Sequence, residues 1–155
     1  TIRFNGEQLL HGINGSRLLT VNEYEFGLIM DKTGLAEEEI LGRTRGVLIT
    51  KGSKGSLLRI DGEEHFIPTV TPHKVVEPTG AGDAFRGGMM RGMQLGLPWS
   101  VCGRMGALAA TYVLESFGTQ NHRYDSAEFV TRYRQNFDDE GALDALLQPT
   151  NQLSN

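Results

Sequence analysis

The chain has 155 residues and 17.1 kDa, enough for one domain with a sizeable core. Its 39% hydrophobic, 8% aromatic and 22% charged residues exclude a disordered or fibrous chain, and a formal charge of −4 argues against sequence-independent nucleic-acid binding, which needs a basic stripe. No apolar run nears the roughly 18 to 20 residues that span a bilayer, and the one cysteine, Cys102, excludes an internal disulfide and a multi-thiolate metal centre. With no basic flank ahead of an apolar stretch at the N-terminus, a reducing, cytoplasmic compartment is expected. Thr1 in place of Met is what a fragment or a processed product would show. The glycine content is high, 20 residues, almost twice the usual share of about 7%.

The predicted elements run as follows. Arg17 to Val21 is a short apolar run ending at Asn22 and reads as a buried strand. Glu23 to Lys32 carries Phe26, Ile29 and Met30 at helical spacing, with Gly34 as the stop. Leu35 to Arg45 reads as a second short helix with an acidic, solvated start. Gly46 to Thr50 is β-branched and is the clearest strand. Lys51 to Gly55 is a loop, and Ser56 to Ile60 a further strand. Asp61-Gly62 is a hairpin signal, with Glu64 to Val70 as the returning strand. Residues 71–78 are extended, since Pro72 and Pro78 disfavour helix before them. Thr79 to Asp83 opens a helix reaching about Gly96. Pro98 starts another near its first position, with Gly118 as its C-cap. Ser126 is the N-cap of a last helix that turns Phe129, Val130 and Tyr133 inward. This order of strands and helices is that of an α/β protein with a layered sheet.

Glu77-Pro78-Thr79-Gly80-Ala81-Gly82-Asp83-Ala84-Phe85 is the segment richest in chemistry. It is not a dinucleotide fingerprint, because Phe85 occupies the third glycine position, and the chain contains no P-loop string. The bland reading is a glycine turn that starts a helix. Against it stand Gly87, Gly88 and Gly92 in the helix interior, which together cost on the order of 3 kcal/mol in propensity. Close packing would offset that cost and hold the helix start rigid. A rigid start with small residues offers free amides and a positive dipole end to an anion. A carboxylate beside it, Asp83, can take a proton from a hydroxyl as that hydroxyl attacks. An anion hole next to a carboxylate base is what phosphoryl transfer to an alcohol requires.

Glu77 to Gly88 closely resembles the second signature of the ribokinase-like (PfkB) sugar and nucleoside kinases. The resemblance implies that Asp83 is the catalytic base and that Gly80, Ala81, Gly82 and the Asp83 amide form the anion hole. Asn22-Glu23-Tyr24-Glu25 is similar to the family's N-x-x-E element, which implies that Asn22 and Glu25 serve Mg²⁺ and its waters. On their own these two residues read rather as the cap of the helix that follows, and the other motifs shift the reading to the metal. Thr50 to Gly55 resembles the family's T-x-G-x-x-G loop, implying that Thr50, Gly52 and Gly55 border the nucleotide; Lys51 and Lys54 are expected in solvent. The late helix and Phe117-Gly118-Thr119-Gln120 resemble the adenine border. This implies nucleotide contacts from Ala110 and Gln120 and, in some members, a monovalent cation such as K⁺. Ala109, Ala110 and Thr111 also read as ordinary packing, and His122 as a surface residue. Met89, Met90, Met93 and Met105 read as gap fillers, and Cys102 as a packing residue.

The resemblance covers about Arg17 to Phe137 and implies a ribokinase-like three-layer α/β/α sheet, C-terminal half only. The family's first signature, substrate-binding aspartate and lid are not visible, so the chain is expected to need its N-terminal half or to self-associate. The expected activity is ATP- and Mg²⁺-dependent phosphorylation of a hydroxyl. Glu77-Pro78, Arg86 and the 118–122 ending resemble bacterial adenosine-like nucleoside kinases most, which implies such a nucleoside ahead of a ribokinase- or fructokinase-type sugar. A non-catalytic nucleotide-binding or interaction fragment, or a glycine-rich scaffold without a ligand, are the readings of another class.

Overall fold

A computed structural model describes residues 3–118, 121 and 123–148. The chain divides after Thr69 into two units. In the first unit, α1 (Gly6–Ile13) precedes β1 (Leu19–Asn22), α2 (Glu23–Thr33), α3 (Glu37–Leu41), β2 (Gly46–Thr50), β3 (Ser56–Ile60) and β4 (Glu63–Ile67). The sheet order is β1-β2-β3-β4, with β1 parallel to β2 and the other pairs antiparallel. β2 lies inside the sheet and its Val47, Leu48 and Ile49 are all buried, so a continuous apolar run suits it. β3 alternates, burying Ser56, Leu58 and Ile60. Asp61 and Gly62 take φ of 54° and 82°, the left-handed pair that a two-residue hairpin demands. Ile13, Val21, Phe26, Ile29, Ile40 and Val47 make the core beneath α1, α2 and α3.

The second unit holds α4 (Ala81–Gln94), α5 (Trp99–Leu114), α6 (Ser126–Asn136) and a short 3-10 turn at Ala142–Leu146. Its core gathers Val70, Met105, Leu108, Phe129, Tyr133 and Leu143. α4 and α5 pack closely because two α4 glycines permit it. A Cβ on Gly88 would lie 2.6 Å from Met105 O, and one on Gly92 would lie 2.9 Å from Cys102 Sγ. Gly87 meets nothing within 4 Å, so the packing argument holds for two of the three interior glycines.

Several expected boundaries are corrected. The helix expected over Leu35 to Arg45 is confined to Glu37–Leu41, and the last strand ends at Ile67 rather than Val70. Pro98 is the cap before α5, not its first helical residue. α5 stops at Leu114 with Glu115 as its cap, so Gly118 lies beyond the helix end. Asp125, not Ser126, caps α6, because its carboxylate accepts the Glu128 amide at 2.8 Å while Glu128 accepts the Asp125 amide at 3.0 Å. α1 and the Ala142–Leu146 turn were not expected. Asn5 and Gln8 cap α1 reciprocally, the same S/T/D/N-x-x-E/Q logic.

Candidate functional site

In the first unit the candidate residues gather where β1 and β2 end. Parallel pairing sets Asn22 opposite Thr50, at the C-terminal ends of both strands, where open α/β sheets place their ligands. Asn22 Oδ1 accepts the Glu25 amide at 2.8 Å, and Glu25 Oε2 accepts the Asn22 amide at 3.0 Å. The capping reading of this pair is therefore realised. It leaves the second Glu25 oxygen and the Asn22 side-chain nitrogen without partners among the described residues. Three or more metal-binding side chains are grouped nowhere among the described residues. One carboxylate with one amide fits Mg²⁺ held largely through its own waters, and does not fit a protein cage.

The loop after β2 turns tightly. Lys51 donates its amide to Gly55 O at 2.8 Å around the Gly52–Lys54 turn. Gly55 is buried at φ 90°, and a Cβ there would fall 2.5 Å from Ile67 O, so only glycine fits. Thr50 Oγ1 reaches Val21 O at 3.4 Å, linking the two strand ends. Lys54 is exposed as expected. Lys51 is half-buried and lies 3.9 Å from Glu23, which corrects its expected freedom in solvent.

In the second unit the glycine turn leads into α4. Gly80 takes φ 89° as the cap, and Ala84 donates its amide to Gly80 O at 3.0 Å, the first bond of the helix. The Ala81 amide is directed to Pro78 O at 3.3 Å, while those of Gly82 and Asp83 find no acceptor among the described residues. Around Gly82 there is open space. Asp83 is the third residue of α4, its side chain 83% exposed, with Oδ1 accepting from Arg86 at 2.7 Å. Its other oxygen has no partner among the described residues. Two unpaired amides and an open carboxylate thus stand on one helix turn.

Glu77, quoted above only as part of a motif, has a role the sequence did not disclose. Its Oε2 accepts the Gly118 amide at 3.0 Å and so ties the approach to the turn to the chain after α5. A 41-residue separation gives no local signal for such a bond. Among the late-helix candidates, Ala109 is buried against Gly88, and Thr111 is buried with its hydroxyl donated to Ala107 O and Val70 O. Both are packing residues, while Ala110 is half-buried. Thr119, Gln120 and His122 lie outside the described residues. Met89 and Met105 fill the core, but Met90 is 66% exposed and is not a gap filler. Cys102 is buried, which pushes its thiol up to about 11, as befits a packing residue.

Residues 4–126 match the pfkB family carbohydrate kinases. The chain belongs to that family. A nucleoside kinase of Methanocaldococcus jannaschii is 32% identical over 120 residues, 77% of this chain and 40% of that protein. Among solved structures, the Burkholderia thailandensis nucleoside kinase in complex with inosine superposes with a TM-score of 0.84 at 36% identity, over 86% of this chain and 45% of the other. The M. jannaschii nucleoside kinase superposes with a TM-score of 0.83 at 30% identity, over 87% and 45%. This PfkB-family chain therefore has the ribokinase-like α/β fold expected of it, and it spans less than half the length of these relatives. Among its described residues no helix is long and apolar enough to cross a membrane.

Proposed function

We propose that this chain is the C-terminal, phosphate-handling half of a kinase that transfers the terminal phosphoryl group of ATP to a nucleoside hydroxyl. The observation that carries the reading is Asp83 on the first turn of α4, beside the unpaired amides of Gly82 and Asp83 and after the left-handed Gly80. The acceptor oxygen attacks phosphorus, the bond to the ADP oxygen breaks, and the hydroxyl proton passes to the Asp83 carboxylate. The Gly82 and Asp83 amides hold the transferring oxygens, presented by the turn that Gly80 and Ala81 form, and stabilise charge that develops in the transition state. Asn22 and Glu25 would orient Mg²⁺ through its waters, and that ion would neutralise phosphate charge. Thr50, Gly52 and Gly55 would border the nucleotide, with Ala110 and Gln120 toward its base; a monovalent cation such as K⁺ would lie near the chain after α5.

A nucleoside acceptor is favoured because the similar chains above are nucleoside kinases, and the B. thailandensis enzyme has been solved with inosine and also with ADP-inosine. Within that class an adenosine-like purine nucleoside is our reading. A sugar acceptor is the second reading, supported by the family's carbohydrate kinases, including a Lactococcus lactis ribokinase 36% identical over 104 residues. A cytoplasmic location, with its ATP and Mg²⁺, accompanies either.

The test is ADP production with MgATP and a panel of adenosine, inosine, cytidine, ribose and fructose, in K⁺ and in Na⁺, beside Asp83→Asn. Acceptor-dependent turnover that falls by orders of magnitude in the variant supports the assignment and identifies the substrate. Turnover unchanged in Asp83→Asn removes Asp83 from its role. If no acceptor works, MgATP decides between a binding half and a scaffold: at 100 times its dissociation constant it stabilises a binding chain by about 2.7 kcal/mol.

A further inference from the structure

Residues 68–80, between β4 and α4, have no regular secondary structure. An irregular stretch of that length is uncommon in a compact domain, and its backbone groups must find partners elsewhere. The C-terminal end of α5 supplies them. Thr111 Oγ1 donates to Val70 O at 3.2 Å, the Val76 amide donates to Leu114 O at 2.7 Å, and the His73 amide donates to Glu115 Oε1 at 2.6 Å. The helix end gains as well, since its last carbonyls lack intrahelical donors. Thr111 O accepts from the Glu115 amide, Tyr112 O from Ser116 Oγ, Val113 O from the Ser116 amide and Leu114 O from Val76.

Glu115 is the side chain on which this arrangement turns. Arg132, on α6, grips it with two bonds of 2.6 and 2.8 Å, and both side chains are nearly buried, at 14% and 12% exposure. The Arg132 guanidinium also lies 4.7 Å over the Tyr112 ring. An ion pair joining two helices would need nothing more. Here the same carboxylate oxygen also accepts a backbone amide of the segment that delivers the glycine turn.

Resting on the reading of Gly80 to Asp83 as the phosphate turn, we infer that Glu115 is a positioning residue, which holds the 73–80 approach so that the turn's amides are preset before phosphate arrives. Arg132 fixes the Glu115 carboxylate, and Glu115 fixes the segment.

The test reads amide hydrogen exchange of the full chain, without substrate, in Glu115→Gln and Glu115→Ala, and turnover beside it. Gln keeps an acceptor for the His73 amide, so exchange over 73–83 stays near that of the parent and kcat within about threefold. Ala removes the acceptor, so exchange over 73–83 rises about tenfold or more, against unchanged β2 and α6 amides. There kcat falls by about tenfold, by more than KM for MgATP rises. If Glu115→Ala does not fold, Glu115→Asp keeps the charge but draws it back from His73, and the same local opening is expected. Unchanged exchange over 73–83, or opening spread equally over β2 and α6, overturns the inference. So does local opening with an unaltered kcat. If the parent itself shows no turnover, exchange alone decides this inference, and the failure counts against the kinase reading instead.

Discussion

Two adjacent glycines of α4 should respond to the same substitution with opposite signs. In a helix interior, glycine is about 1 kcal/mol less favourable than alanine. At Gly87 nothing lies within 4 Å of an added Cβ, so Gly87→Ala collects that gain. At Gly88 the added carbon would meet Met105 O at 2.6 Å, Ala109 Cβ at 2.9 Å and Gly106 Cα at 3.0 Å. None of these atoms can rotate away, so α4 and α5 must separate. Overpacking of this kind costs about 1–3 kcal/mol, which outweighs the propensity gain at the middle of its range. Thermal and urea unfolding of the two variants measure the difference. For a domain of this size 1 kcal/mol moves Tm by about 2–4 °C, so Gly87→Ala should rise by about that amount and Gly88→Ala should fall. Equal shifts in one direction would refute the account of close helix packing. Gly87 also lies one turn beyond Asp83 on the same helix face. Gly87→Ala that stabilises the chain yet lowers turnover would show that the open space serves the bound substrates.

The remaining predictions concern the first candidate cluster and acid. Asn22→Ala should cost about 1 kcal/mol as a lost cap, whereas Asn22→Ser, also a good cap, should not. Both should raise the Mg²⁺ concentration needed for half-maximal turnover; a magnesium titration unchanged in both would leave Asn22 as a cap alone. The hydrogen bond from Arg134 holds the Asp139 carboxyl below the usual carboxylate range, and that from Arg132 does the same for Glu115. Stability from both is fully present above the ordinary carboxylate values near pH 4. Below them the unfolded chain takes up protons first, and stability declines until the folded groups protonate too. The urea midpoint should therefore be flat from pH 7 to about 5 and fall toward pH 3. Arg134→Gln should flatten the fall, and an unchanged slope would remove Asp139 from the account.

What could be read from the sequence was local. β2 and the Asp61-Gly62 hairpin were legible because burial on both faces, and the left-handed turn, each impose a composition on a few consecutive residues. The α4 start was legible for the same reason, since Gly80 to Asp83 carry the turn and the carboxylate within one helical turn. Asn22 and Glu25 were legible as a pair, since the reciprocal cap follows from their spacing. Hidden were bonds between distant residues. The ties of Glu77 to Gly118 and of Glu115 to His73 span 41 and 42 residues, and neither residue type announces its partner. α1 was legible in principle and passed over: Asn5 and Gln8 form a capping pair, and Leu9 and Ile13 stand one turn apart on its buried face.

The two border strands of the sheet are built differently. β4 carries Glu63, Glu64 and His65, the charged and polar composition with which exposed edges discourage further pairing. β1 carries Leu19, Thr20 and Val21, with no charge, and pairs only with β2 among the described residues. A hollow lined by Phe4, Leu9, Ile13, Leu19, Val21 and Ile29 adjoins it. An uncharged edge beside apolar side chains is one meant to be covered. The chain spans less than half the length of these relatives, and a strand from a second copy can pair against β1. Alone, the chain should then associate through that edge as its concentration rises, and sedimentation velocity would follow it. Thr20→Lys places a charge on the edge strand and should restore a monomer with its Tm little altered. A parent monodisperse at every concentration, or association indifferent to Thr20→Lys, would mean that β1 is an edge the fold tolerates uncovered.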